Sequence, residues 1–280
     1  MDNRIELPIT ARNIVELFTG EICNLEPGFI EGLYLTGSLT MNDFHPGKSD
    51  VDFLVLCKKL PDKQTAARIK HIHKSIGLRY PRPGLSGSYF AAAHICTDDP
   101  ESIPTISYYD GSLHYRNLDM APVALAELKF NAFTVLGQDA GTLPVKITGK
   151  QLDDFLYRNI HSYWAKWIQR HAAISNRGAA LLLFPRLTEW AVLGVARQIY
   201  TLQTGRITSK KEAGSYCLTC LPDKFHPIIR QAIAIRENDR LYPFVGSYAM
   251  VPSFKRMVQT IECVNYLIEL FNELYKRKWE

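Results

Sequence analysis

The chain has 280 residues, enough for a substantial core in one large or two ordinary domains. Its composition, 46% apolar and 22% charged, is that of a globular protein. A formal charge of +5, held in runs as short as Lys58-Lys59, Lys210-Lys211 and Lys276-Arg277-Lys278, argues against a nucleic-acid stripe, and no apolar run reaches the ~18 residues of a membrane span.

Residues 1–147 mix helix and strand patterns. Ile14, Leu17, Phe18 and Ile22 recur at helical spacing over 10–24. Strands follow over 30–36 and 51–57, then a helix over 62–77. Pro81, Pro83 and Gly84 break the chain before a third strand, Gly87 to Ile95. Asp110-Gly111 marks a hairpin between Ile106–Tyr109 and Leu113–Tyr115, and a helix over 121–132 precedes a last strand over 133–136. From 148 onward the pattern is helical only. Thr148-Gly-Lys-Gln151 reads as a capping box opening a helix that carries Leu152, Phe155, Leu156, Ile160, Trp164 and Ile168. A helix over 187–203 ends at Gly205, Ser209-Lys-Lys-Glu212 caps another that stops before Pro222, and helices over 226–238 and 253–277 finish the chain. The expected architecture is an α/β domain, a mixed sheet with flanking helices over 1–147, followed by an all-α bundle over 148–280.

The chemistry is concentrated near the second strand. The strand over 30–36 runs into Gly37-Ser38, and Asp50-Val51-Asp52 opens the apolar strand Phe53-Leu54-Val55-Leu56. Side chains at i and i+2 share a strand face ~7 Å apart, so Asp50 and Asp52 stand side by side at a buried edge. Unpaired buried carboxylate is costly. Mg²⁺ is a natural counter-charge, being held by one or two carboxylates plus substrate phosphates. A glycine-serine turn offers backbone N–H groups to those phosphates.

This arrangement resembles the nucleotidyltransferase superfamily that includes DNA polymerase β and the antibiotic adenylyltransferases. The segment from Leu193-Gly-Val-Ala-Arg197 through Gly205, Ser209-Lys210 and Ala213, continued by Leu221-Pro222, Ile229, Ala232 and Arg236, is similar to the C-terminal helical domain of the streptomycin/spectinomycin adenylyltransferases. The resemblance spans roughly 30–238. It implies ATP and Mg²⁺ as cofactors, with Asp50 and Asp52 as catalytic metal ligands and Gly37, Ser38 and Ser49 at the nucleotide. Arg197 and Lys210 would reach across a cleft to the phosphates. Arginine grips phosphate in a bidentate fork, and a lysine opening a helix opposes the dipole and so needs a reason. AMP would pass from ATP to a hydroxyl of a small acceptor, by resemblance an aminoglycoside or aminocyclitol.

Two positions depart from that family. A third acid is expected at the start of the third strand, in a stretch commonly reading Leu-Glu-Gly-Ser-Tyr. Here Leu85-Ser86-Gly87-Ser88-Tyr89 puts Ser86 at the glutamate's place. A positioned base contributes ~10²–10⁴ in rate, so slow or absent turnover is the expectation; the alternatives are a base from elsewhere such as Glu189, an acceptor hydroxyl acidic enough to need none, or nucleotide binding without efficient transfer (a sensor or binding module). The family's acidic residue and histidine, about ten and seven positions before the arginine, fall on Leu187 and Trp190. Trp190 shares a face with Arg197 and either stacks on substrate or sits in the core, and Glu189, Asp153 and Asp154 remain as carboxylates for a cationic acceptor. Lesser signals read structurally. Cys217-Leu-Thr-Cys220 is a lone CxxC, and His71-x-His73 reads as exposed helix. Cys57 and Cys96 lie in apolar runs, as buried reduced cysteines do. With no hydrophobic signal segment in Met1 to Glu6, the expected home is a bacterial-type cytoplasm, without membrane or nucleic-acid partners, as a monomer or weak oligomer.

Overall fold

A computed structural model describes residues 6–118, 120–172, 176–237 and 252–280. The chain divides into two units, Met1–Thr148 and Gly149–Glu280. The first contains α1 (Ile9–Cys23), β1 (Ile30–Thr36), β2 (Val51–Cys57), α2 (Lys63–Arg79), β3 (Leu85–Ala91), β4 (Pro104–Tyr109), β5 (Ser112–Asn117), α3 (Ala121–Phe130) and β6 (Phe133–Gly137). Its six strands form one mixed sheet in the order β5-β4-β3-β2-β1-β6. Only β2 and β3 run parallel, joined by the helical crossover that a parallel pair requires.

Both faces of the central strands are covered, which is why β2 is apolar almost throughout. Phe53, Val55 and Cys57 pack with Phe18 and Ile22 of α1 and Ile69 and Ile76 of α2. Leu54 and Leu56 point the other way, onto Phe90 and onto Leu125 and Leu128 of α3. This alternation fixes Asp52 on the α3 side. Asp62 caps α2 by accepting the Thr65 N–H at 2.8 Å.

Three sequence expectations change here. β3 ends at Ala91, the register partner of the last residue of β2, and the chain winds into a 3₁₀ turn over Ala92–Cys96 because a longer strand would have no β2 residue to pair with. Cys96, at the end of that turn, is exposed while Cys57 is buried; all six cysteines are free thiols. His73 is not on an exposed stretch of helix. It is 1% exposed, stacks on Tyr108 with centroids 3.8 Å apart, and its Nε2 lies 2.8 Å from Tyr89 Oη. Burial pushes its imidazole down to about 3, so it is neutral at ordinary pH.

The second unit is helical wherever it has regular structure among the described residues. α4 (Gly149–Asn159) continues through a π turn (Ile160–Trp164) into α5 (Ala165–Ala172), followed by α6 (Asn176–Leu183), α7 (Pro185–Thr204), α8 (Lys210–Cys220), α9 (His226–Glu237) and α10 (Phe254–Trp279). Residue 238, where the sequence reading ends α9, lies outside the described residues. α7 is the spine: Ala191, Val192, Val195, Ala196, Ile199 and Leu202 are all buried. A Cβ on Gly194 would stand 2.5 Å from the Trp164 ring, so only glycine allows that approach. Gly205 closes α7 at φ +68, its N–H donating to Thr201 O, and Ser209 caps α8 by accepting the Glu212 N–H at 3.1 Å.

Candidate active site

β1 delivers the chain into the Gly37–Leu39 turn immediately beside the start of β2. Gly37 has φ +65, and a Cβ there would lie 2.3 Å from Asp52 Oδ2. Backbone conformation and space both demand glycine, and the result is a turn pressed against a carboxylate. The Ser38 hydroxyl is buried with no hydrogen-bond partner. A polar atom left so is costly unless something else satisfies it. The following loop is tied down independently: Asp43 N–H donates to Ser38 O at 3.0 Å, and Asp43 Oδ1 lies 2.8 Å from His45 Nε2. Ser49 accepts the His45 N–H at 3.0 Å, which makes it a brace of this loop.

Asp50 precedes β2. Val51 N–H donates to Gly84 O at 2.8 Å, and the Gly84 N–H hydrogen-bonds back to the Asp50 carboxylate. A Cβ on Gly84 would stand 3.1 Å from Asp50 Oδ1. The Asp50 carboxyl is raised above its usual range, chiefly by desolvation and further by the charge of Asp110, with the Gly84 bond and Arg82 opposing. Asp52 and Ser86 are register partners on the parallel pair, on the face shared with Leu54 and Phe90. Ser86 therefore stands beside the carboxylate pair.

The site's chemistry fits a divalent cation with a polyphosphate. Among the described residues no group of three or more His, Cys, Asp or Glu side chains is placed to hold a metal by itself. Two carboxylates with an unsatisfied hydroxyl and a cradle that a Cβ would fill suit Mg²⁺ completed by substrate oxygens. Asp110 is the neighbour that sequence reasoning missed. It was legible only as a turn residue, with Gly111, both at positive φ. The pairing Gly87–Tyr108 carries that turn to the start of β3.

In the helical unit, Glu189 of α7 is buried between two cations. Lys210 Nζ lies 3.2 Å and Arg236 Nη1 3.6 Å from the same Oε1. Lys210 is lowered from the ordinary lysine value by burial, with Glu189 opposing and Arg236 and Arg197 adding to the depression. Two cations thus share one buried carboxylate, and Arg197 is near enough for its charge to act on Lys210. Trp190 is 45% exposed, not in the core. Its Nε1–H donates to Tyr163 Oη at 3.2 Å, and Lys210 Nζ lies 4.9 Å from its ring centroid. Asp153 and Asp154 are engaged elsewhere, by Lys278 at 2.7 Å and Lys150 at 2.5 Å.

Comparison with known proteins agrees with this geometry. Residues 15–98 match the family model of the nucleotidyltransferase domain. The protein is an enzyme of the nucleotidyltransferase class. Residues 173–260 match the model of the aminoglycoside adenylyltransferase C-terminal domain. With the two matches in this order, the chain belongs to the aminoglycoside adenylyltransferase family of nucleotidyltransferases. Comparison with curated protein sequences gives no match. Among solved structures, spectinomycin adenyltransferase AAD(9) from Enterococcus faecialis, crystallised with ATP and spectinomycin, is similar with a TM-score of 0.68. It is 14% identical over 95% of this chain and 99% of that one, a likeness of fold. No helix among the described residues is long and apolar enough to cross a membrane.

Proposed function

We propose that the protein transfers AMP from ATP to a hydroxyl of a small aminoglycoside- or aminocyclitol-type acceptor, with Mg²⁺ held by Asp50 and Asp52. The observation that carries this reading is the Gly37 turn pressed onto Asp52 with the Ser38 hydroxyl buried and unsatisfied. When bound, Mg²⁺ neutralises phosphate charge and stabilises the oxygens of an in-line displacement at phosphorus. The chain's own residues bind and orient. Ser38 and the turn's backbone receive phosphate oxygens, and Arg197 and Lys210 supply positive charge to the polyphosphate. Glu189 acts as a positioning residue that holds Lys210 in its rotamer until nucleotide competes for the ammonium.

Ser86 cannot remove the acceptor's proton at neutral pH, and turnover is correspondingly slow. Its place beside Asp52 also supports a second reading, a nucleotide-binding protein without efficient transfer. The two separate in one experiment: titration with ATP and Mg²⁺, followed by a pyrophosphate-release assay over a panel of aminoglycosides and aminocyclitols. Release that depends on acceptor establishes transfer. Tight Mg·ATP binding with no release on any acceptor leaves only the binding protein.

A further inference from the structure

The nucleotide site makes no use of Cys217-Leu-Thr-Cys220, which ends α8. Cys217 is wholly buried, and Cys220, the last residue of the helix, is exposed. Cys220 Sγ lies 3.9 Å from the Cys217 carbonyl oxygen, folded back over the turn, and the two thiols hydrogen-bond to each other. Cys263 of α10 is wholly buried too, and near enough for its charge to act on Cys217. Of these three thiols, only Cys220 meets solvent.

The contact gives the two cysteines different roles. A thiolate at a helix C-terminus is opposed by the helix dipole, so its stabilisation must come from a hydrogen-bond donor. The Cys217 S–H is that donor. It holds the Cys220 thiol below its ordinary range against the opposing effect of burial, while the same contact, with burial, keeps Cys217 protonated. Three residues apart on a helix, Cα atoms stand ~5 Å apart, within the ~4.4–6.8 Å span of disulfides. Their Cβ atoms are ~5–6 Å apart where the bond wants ~3.5–4.5 Å. Closing it must therefore tighten the last turn of α8, where Leu221 is already extended and its N–H donates to Cys217 O at 3.0 Å.

We propose that Cys217 and Cys220 form a reversible oxidation site for hydroperoxides, with Cys220 as the attacking thiol and Cys217 as the resolving thiol. The Cys220 thiolate attacks a peroxide oxygen: the S–O bond forms, the O–O bond breaks and hydroxide or alkoxide leaves, so sulfur is oxidised and peroxide reduced. Cys217 then attacks the Cys220 sulfenic acid: the S–S bond forms, the S–O bond breaks, and the Cys217 proton leaves with the oxygen as water. A disulfide closed against its own helix is strained, so its potential is high and glutathione reduces it. The inference goes beyond the transferase reading and does not depend on it.

Peptide mapping of the full chain after brief hydrogen peroxide treatment tests it, because the tryptic peptide 212–224 holds both cysteines. That peptide should be lighter by two hydrogen atoms, and reduced glutathione should restore it. At neutral pH, iodoacetamide should alkylate Cys220 about threefold or more faster than the exposed Cys23 and Cys96, the gain in thiolate being partly offset by lower nucleophilicity. Cys217→Ala should bring Cys220 down to their rate and leave a sulfenic acid that dimedone traps. Cys217→Ser keeps an O–H donor and should restore the rate without the bond. Peroxide-treated wild type with no bond inside peptide 212–224 overturns the proposal, as does a Cys217–Cys263 bond in its place. Alkylation of Cys220 no faster than that of Cys23 and Cys96, or equally fast in wild type and Cys217→Ala, overturns it as well.

Discussion

Ser86→Glu places a third carboxylate beside Asp52, its register partner on the neighbouring parallel strand. Adjacent strands lie ~4.8 Å apart. Two unit charges ~5 Å apart at an effective dielectric of ~20 repel by ~3 kcal/mol. Asp52 is only partly buried, so solvent screening reduces this to about 1–2 kcal/mol. At about 2–4 °C per kcal/mol for a unit of this size, the metal-free variant should melt roughly 2–8 °C below wild type. Mg²⁺ relieves the same repulsion, so it should raise the melting temperature of the variant more than that of the wild type. Turnover should rise with it, toward the ~10²–10⁴-fold that a positioned base contributes. The assay is a pair of melting curves, in EDTA and in saturating Mg²⁺, beside pyrophosphate release. Identical melting shifts for the two proteins together with unchanged release would refute the reasoning, because Ser86 could not then face the carboxylate pair.

Other consequences are more local. The His73 imidazole, held near 3 when folded against about 6.5 when unfolded, means the unfolded chain binds the extra proton between those values. Stability is therefore fully present above pH 6.5 and lost as pH falls toward 3, by up to about 1.4 kcal/mol per pH unit. Urea titrations across that range should show the slope, and its persistence in His73→Gln would count against the assignment. Gly37→Ala must adopt a left-handed backbone, at about 1–2 kcal/mol, and displace Asp52, so both stability and Mg·ATP affinity should fall. Unchanged calorimetric affinity would contradict the cradle. Glu189→Gln removes the carboxylate that Lys210 and Arg236 share and should destabilise by about 3 kcal/mol, partly restored by ATP. A chemical melt with and without nucleotide distinguishes this from a passive surface pair, which would show neither effect.

Much of the site was legible because it is local. The apolar runs Leu33-Tyr34-Leu35 and Phe53 to Cys57 mark strands buried on both faces, and the expected strand bounds 30–36 and 51–57 coincide with β1 and β2. Gly37 announces itself by composition, and the reason it must be glycine, Asp52 at 2.3 Å, requires β1 and β2 to be paired. Gly205 and Ser209 act within one helical turn of their positions in sequence, so their capping roles were readable. What pairing decides was not. The parallel ladder that sets Ser86 beside Asp52, and the antiparallel one that brings Asp110 to the start of β3, join residues tens of positions apart. His73 was readable in principle. Two residues apart on a helix are ~200° apart, so His71 and His73 cannot share one face. His73 follows Ile69 by four and precedes Ile76 by three, on the buried side. α6 lacks the polar interruption that reveals a helical period, its end running Ala-Ala-Leu-Leu-Leu.

The central claim is that the Gly37-Ser38 turn and the Asp50–Asp52 pair form a metal-dependent nucleotide site. The direct measurement is calorimetric titration of ATP into wild type and Asp52→Asn, each with Mg²⁺ and with EDTA. Binding by the wild type that requires Mg²⁺, and loss of that requirement together with most of the affinity in Asp52→Asn, is the expected result. ATP bound equally well by both proteins, with or without Mg²⁺, would contradict it.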